Sequence, residues 1–259
     1  MSHNRLRTGS IFLLPTVLLL SVMLGPVLVM LASVPPADVV RAFSAPTARD
    51  ALQTSLAASI LAILVASLLG VPAGYALAHS GARLRGAALF ALALPLAFPP
   101  VASGIILLQS IGTRAPLGAW LAAHGIVFVD SLWGVALAEL FVAGSFVAIT
   151  ACAAFAALDP IYEASARTLG AGPVTVFARI ALPLAAPNVL AGVLLAWLRA
   201  IGEYGATSIV AYHPTSLPVA LYVTLSAQGI GPALALSYGF VVLAVIVVGV
   251  QWALRHRVV

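Results

Sequence analysis

The chain has 259 residues, 63% of them hydrophobic and only 7% charged, with a mean hydropathy of +1.14. A soluble domain of this length carries about a quarter charged residues, so the composition excludes an ordinary water-soluble enzyme and indicates an all-α integral membrane protein. The 12 basic residues are all arginine and the formal net charge is +5; a pI near 10.0 here reflects membrane topology, not nucleic-acid binding.

A transmembrane helix needs about 20 mainly apolar residues, and six stretches meet that length: 11–32, 52–78, 87–111, 131–157, 183–209 and 232–254. Arg5 and Arg7 before the first could belong to a signal peptide. The apolar run is long, however, and no small-x-small site closes it, so a retained helix is expected. Pro35-Pro36 and Pro46 punctuate the loop that follows.

The third span is interrupted. It reads Leu94-Pro95-Leu96-Ala97-Phe98-Pro99-Pro100, with Gly104 one turn on. Proline cannot donate to the helical ladder, and freed backbone groups in a membrane need buried partners. Pro99 and Pro100 are therefore candidates for a pathway-lining break, with a simple kink as the alternative. Leu117–His124 reads as a short surface helix. Glu139, inside the fourth span, is expected to make an interhelical hydrogen bond, with a pathway role as the alternative, and the lone Cys152 is expected to be a small core residue.

Between the fourth and fifth spans lies a loop, 158–182, of different character. Asp159-Pro160 is a helix start: Asp accepts a backbone N–H and Pro suits the first helical position. Gly170-Ala171-Gly172-Pro173 stops that helix. Glu163, Ala164 and Ser165 precede Gly170, and Ile180-Ala181-Leu182-Pro183 begins ten residues after it. A short helix projecting into water offers side chains to a groove on a partner.

In the fifth span, Arg199 lies 16 residues beyond Pro183, about 24 Å deep at 1.5 Å per residue. Glu203 follows at i+4, on the same helix face. Two readings stand side by side: an ion pair that fixes packing, and a gate near the outer mouth. Gly202 and Gly205 allow another backbone to approach. Pro214, Pro218, Gly229 and Gly231 mark an outer loop before the sixth span.

Arginine placement gives the orientation. Arg5, Arg7, Arg83, Arg85, Arg167, Arg179, Arg255 and Arg257 fall on one side, and Arg41, Arg49 and Arg114 on the other. Both termini and the Glu163 loop are expected to be cytoplasmic. Catalysis has no support: the five histidines are scattered, and no nucleophile has a base beside it.

Three ordered segments carry a family resemblance over roughly residues 50–255. The Leu94–Pro100 run, the Glu163–Pro183 loop and Arg199-Ala200-Ile201-Gly202-Glu203-Tyr204-Gly205-Ala206 resemble permeases of binding-protein-dependent ABC importers. Within that family they are most similar to the molybdate, tungstate and sulfate branch. The loop is similar to the family's EAA loop, with the Glu one position farther from the glycine than in the general pattern. The Gly-Asn that usually follows Thr207 in molybdate and sulfate permeases is missing.

The resemblance implies a type I importer bundle, divided as residues 1–49 (first helix and outer loop) and 50–255 (transporter core). It implies a coupling loop built on Glu163, Ala164, Ser165, Gly170, Ile180 and Pro183. The implied partners are cytoplasmic ABC ATPase subunits, a second permease copy or homologue, a periplasmic binding protein and the lipid bilayer of the inner membrane. A Walker A loop needs a lysine on the phosphates, and this chain has none, so ATP and Mg belong to a partner subunit. The implied cargo is a small oxyanion, molybdate first, then tungstate or sulfate. A permease for another solute such as a phosphonate, and a secondary transporter or channel without an ATPase, are the alternatives.

Overall fold

The computed structural model describes residues 3–255, and all regular structure among them is helical; Arg257 lies outside the described residues. In chain order the elements are α1 (His3–Ser33), α2 (Pro36–Ser44), α3 (Pro46–Ala78), α4 (Ala82–Ala97), α5 (Pro100–Ile111), α6 (Pro116–Ala123) and α7 (Leu132–Ala156). They continue as α8 (Pro160–Thr168), α9 (Pro173–Val176), a π-helical turn (Phe177–Ala181), α10 (Leu182–Ile201), α11 (Gly205–Val210), α12 (Leu217–Gln228) and α13 (Ile230–Arg255). Among the described residues, five helical spans are long and apolar enough to cross a membrane, and the bent pair α4–α5 makes a sixth if counted as one.

The core is the seam between α3 and α7. Ala58, Ala62, Ala66, Gly70 and Gly74 recur every fourth residue along α3 and are all buried. Small side chains at that spacing line up on one face and let two backbones come close. Opposite them α7 places Val147, Ala148 and Ala151; a Cβ on Gly74 would lie 2.7 Å from Ala151 Cβ and 2.7 Å from the Cys152 amide nitrogen. Cys152 is buried in this seam, as expected of a small core residue. The π-helical turn and α10 close the core, the turn with Ala181 and α10 with Ala185, Val189 and Ala196. Trp197 Nε1 of α10 donates to Ser59 Oγ of α3 at 2.9 Å.

Proline decides where the helices stop. Phe98 and Pro99 each precede a proline, which pushes both to extended backbone, observed at ψ 138° and 141°. The result is a 106° bend between α4 and α5, far beyond the kink that Pro95 alone would make. At the entry to α10, the π-helical turn ends just before Leu182-Pro183. Pro183 lacks an N–H and crowds the carbonyl four residues back, a situation the wider turn relieves.

Two sequence expectations are corrected. The fifth span does not run to residue 209: α10 ends at Ile201, and α11 starts after a break at Gly202–Tyr204. The outer loop also holds a 12-residue apolar helix, α12, whose first residues Leu217, Pro218 and Val219 are buried. Its Leu217 N–H donates to the buried Ser55 Oγ of α3 at 2.8 Å. The short helix expected at Leu117–His124 is present as α6.

The seam generates a test. Gly74→Val should overpack α3 against α7 at a cost of about 1–3 kcal/mol or more, lowering the melting temperature of the purified protein in detergent. Gly25→Val, where an added Cβ meets nothing within 4 Å, should leave it unchanged.

Candidate functional site

Two regions carry the residues singled out from sequence. The first is the loop between α7 and α10. Asp159 caps α8, its Oδ1 accepting the Ile161 N–H at 2.9 Å, with Pro160 in the first turn. At the other end Gly170 has φ +84°, and the Ala171 N–H reaches back to the Ala166 carbonyl at 3.1 Å, a 6→1 closure that a left-handed glycine permits. A nine-residue helix is marginal in isolation, so α8 depends on what anchors it.

That anchor is Glu163. Its side chain is turned inward and only 7% exposed. Oε2 receives three donors: Arg167 Nη2 at 2.6 Å, Tyr75 Oη at 3.2 Å and His79 Nε2 at 3.0 Å. Arg167 is one turn along α8, whereas Tyr75 and His79 stand at the C-terminal end of α3. Hydrogen bonds to a charged group contribute about 1.5–3 kcal/mol each, so the clamp outweighs the intrinsic propensity of α8. Tyr75 is itself wedged between the rings of Phe155 (5.2 Å) and Phe177 (4.9 Å).

The exposed surface of α8 mixes apolar side chains with Ser165, Arg167 and Thr168. Ile161 and Tyr162 are exposed, and beyond them Leu169 is 89% and Val174 79% exposed. Ala164, Ser165 and Gly170 share this exposure, as does Pro183, while Ile180 is half-buried. A groove of about 470 Å³ runs past Ile161, Tyr162, Ser165, Ile180 and Pro183, with Arg179 at its edge. Of the loop residues expected to face a partner, Glu163 therefore faces the bundle instead.

The second region forms where two helix breaks meet. Arg199 Nη1 donates to Glu203 Oε2 at 2.7 Å, with side-chain exposures of 37% and 1%. The pair exists although Glu203 lies beyond the end of α10, not on a continuous helix face. Its Oε1 accepts the Ala206 N–H at 2.8 Å and so caps α11, while Thr207 Oγ1 donates to the Glu203 carbonyl at 3.1 Å. The carboxylate thus satisfies freed donors that the chain would otherwise leave bare in an apolar setting.

Gly205 and Gly104 bring this break onto the proline break. A Cβ on Gly205 would lie 2.9 Å from the Val101 amide nitrogen and 3.0 Å from the Pro100 carbonyl carbon; one on Gly104 would lie 2.9 Å from the Ala206 carbonyl oxygen. Pro99 and Pro100 are exposed beside that contact. The structure therefore unites Pro100 with the Glu203 segment, a proximity that spacing in the sequence could not convey.

Glu139 corrects another expectation. It is 1% exposed, and neither carboxylate oxygen has a hydrogen-bond partner among the described residues. Tyr75 and His79 were missed from sequence; an i, i+4 polar pair closing an apolar helix was the available signal.

Residues 68–259 match the family described as binding-protein-dependent transport system inner membrane component. A probable molybdenum ABC transporter permease protein of Haloferax volcanii is 38% identical over 237 residues, covering 92% of this chain and 86% of that protein. The molybdenum transport system permease protein of Mycobacterium tuberculosis is 37% identical over 207 residues, 78% of each chain. Among solved structures, a bacterial alginate ABC transporter in complex with its alginate-pentasaccharide-bound periplasmic protein aligns with a TM-score of 0.71. That alignment has 19% identity over 95% of this chain and 93% of that one; at this identity the likeness is one of fold.

The Arg199–Glu203 pair generates the test for this region. Arg199→Ala leaves the buried Glu203 carboxylate with one partner, at a cost of about 3 kcal/mol, the lower end for breaking a buried pair because Arg199 reaches outward. The double variant with Glu203→Gln should recover more than half of that loss in thermal unfolding of the purified protein. Additive losses would mean that the two side chains are energetically independent.

Proposed function

The chain belongs to the binding-protein-dependent transport system inner membrane component family, and on that footing we propose that it imports a small oxyanion, molybdate first and tungstate or sulfate next. As an ABC importer permease subunit it is a multi-pass inner-membrane protein and not itself an enzyme. The observation that carries the proposal is likeness across nearly the whole chain to permeases of molybdenum transport.

The geometry supports a division of labour within it. α8 is the docking element for a cytoplasmic ATPase, which supplies ATP and Mg; its exposed apolar side chains fit a partner groove, and its buried Glu163 ties it to α3. We read the arginine-rich side, with both termini, as cytoplasmic, and the Arg199–Glu203 and Pro99-Pro100 region as the wall of the pathway. A periplasmic binding protein delivers the ligand, and a second permease subunit completes the pathway between two bundles. ATP-driven closure of the ATPases draws the two docking helices together and opens the pathway outward.

Reconstitution of the permease with its ATPase and binding protein in liposomes tests this. ATP-dependent uptake of labelled molybdate, displaced by tungstate more effectively than by phosphonate, is the expected result; uptake without ATP would support a secondary transporter instead. Gly170→Asp should lose ATPase association and uptake together while the permease still folds. The left-handed glycine there costs about 1 kcal/mol to replace, and nothing lies within 4 Å of the added Cβ. Normal uptake by this variant would mean that the loop is only a connector.

A further inference from the structure

The chain has three glutamates, and all three are buried. Two of them are met by donors. Glu163 accepts from Arg167 and Tyr75, and Glu203 from Arg199 and the Ala206 N–H. Glu139 is as deeply buried as Glu203, yet neither of its oxygens has a hydrogen-bond partner among the described residues. It stands well inside α7, away from the free N–H groups of a helix start. Val135 and Val142, one turn before and after it, belong to buried apolar clusters that also draw in Ala58 of α3, Leu107 of α5 and Ala206 of α11.

An ionised carboxylate needs donors. In a helix bundle the main-chain N–H groups are spent on the helical ladder, whereas carbonyl oxygens keep a second lone pair. A protonated carboxyl needs only an acceptor for its one hydrogen. An unpaired charge in an apolar interior costs so much that the group neutralises instead. The charge that does act on Glu139 is of the same sign, that of Glu203. α5 and α11 carry no ionisable side chain of their own. On the other helices packed against α7, Arg199 is bound to Glu203. Arg49, Asp50, Tyr75 and His79 stand near the two ends of α3, and Arg83 and Arg85 open α4.

We propose that Glu139 is a proton-binding site within the bundle: a neutral carboxylic acid within reach of the Glu203 charge, which leaves the wall at α5 and α11 with the balanced Arg199–Glu203 pair and no further negative charge. The second clause rests on the reading of that region as the wall of a pathway for an oxyanion. A free carboxylate there would repel the cargo, and in surroundings of low dielectric the repulsion is strong; the protonated acid removes it.

Infrared spectroscopy of the purified full-length permease, in detergent and heavy water, reads the site at about pH 7.5, roughly three units above the ordinary glutamate value. A protonated carboxyl absorbs above both the amide band and the ionised carboxylates. One such band is expected. It should shift when the glutamate carboxyl carbons are isotopically labelled and vanish in Glu139→Gln, which keeps the size and neutrality of the acid. The label assigns the band to glutamate in the wild type itself, where Glu163 and Glu203 are paired with arginine, so the result holds even where the variant folds poorly. Absence of a glutamate band overturns the proposal.

Transport tests the second clause. In the reconstituted complex, molybdate uptake by the wild type relative to Glu139→Gln, compared at each pH, should fall in step with the band as pH is raised and the acid ionises. A ratio that moves without the band, or holds while the band is lost, overturns the role in the wall. Failure of the importer reading would look different: no ATP-dependent uptake of molybdate, tungstate or sulfate by the wild-type complex at any pH, with the carboxyl band still in place.

Discussion

The structure depends on how closely α3 and α7 approach. In a bilayer, lipid tails are as apolar as leucine, so helices gain little by hiding apolar side chains from their surroundings; contact itself must hold them. A row of alanine and glycine at every fourth position of α3 removes the side-chain layer that normally separates two backbones. Both candidate regions connect to this seam. The C-terminal end of α3 carries Tyr75 and His79, which hold Glu163 of α8. The N-terminal half of α3 carries Ser55 and Ser59, which hold α12 and Trp197 of α10.

Around that rigid pair, the irregular backbone is concentrated where α5 meets α11. Consecutive prolines turn the chain by 106°, and two glycines let the turned segment lie directly on the break after α10. An open backbone at membrane depth is tolerated only when its groups are satisfied or it lines a cavity. Glu203 meets the first condition by capping α11 with one oxygen while the other holds Arg199. A carboxylate that is structural in this sense can also stand on a pathway wall, because satisfying the break and shaping the opening are the same placement of atoms. The contacts display the packing role of the pair, and the sequence reading already allowed one structure to serve both packing and gating.

Composition and local chemistry made much of this legible beforehand. Long apolar runs announced the spans, Asp159-Pro160 and Gly170 announced the ends of α8, and Arg199 with Glu203 stood out as charges inside an apolar stretch. What escaped was long-range. No spacing rule says that Glu163 looks toward Tyr75 and His79, residues 88 and 84 positions away. None says that Gly205 lies on Pro100. The end of α10 was misplaced because apolar residues continue through 209, and periodicity does not register a break whose donors are satisfied by a side chain. Glu139 was given an interhelical partner because a buried carboxylate ordinarily has one; none is present among the described residues.

α8 is amphipathic in an inverted sense: its carboxylate points toward the bundle, while Ile161, Tyr162 and, beyond the helix, Leu169 and Val174 are exposed. Contiguous apolar surface in water promotes adhesion to whatever is near. If α8 docks a partner as proposed above, a permease inserted before that partner arrives leaves this apolar surface uncovered, and matched synthesis of the subunits would keep such exposure brief.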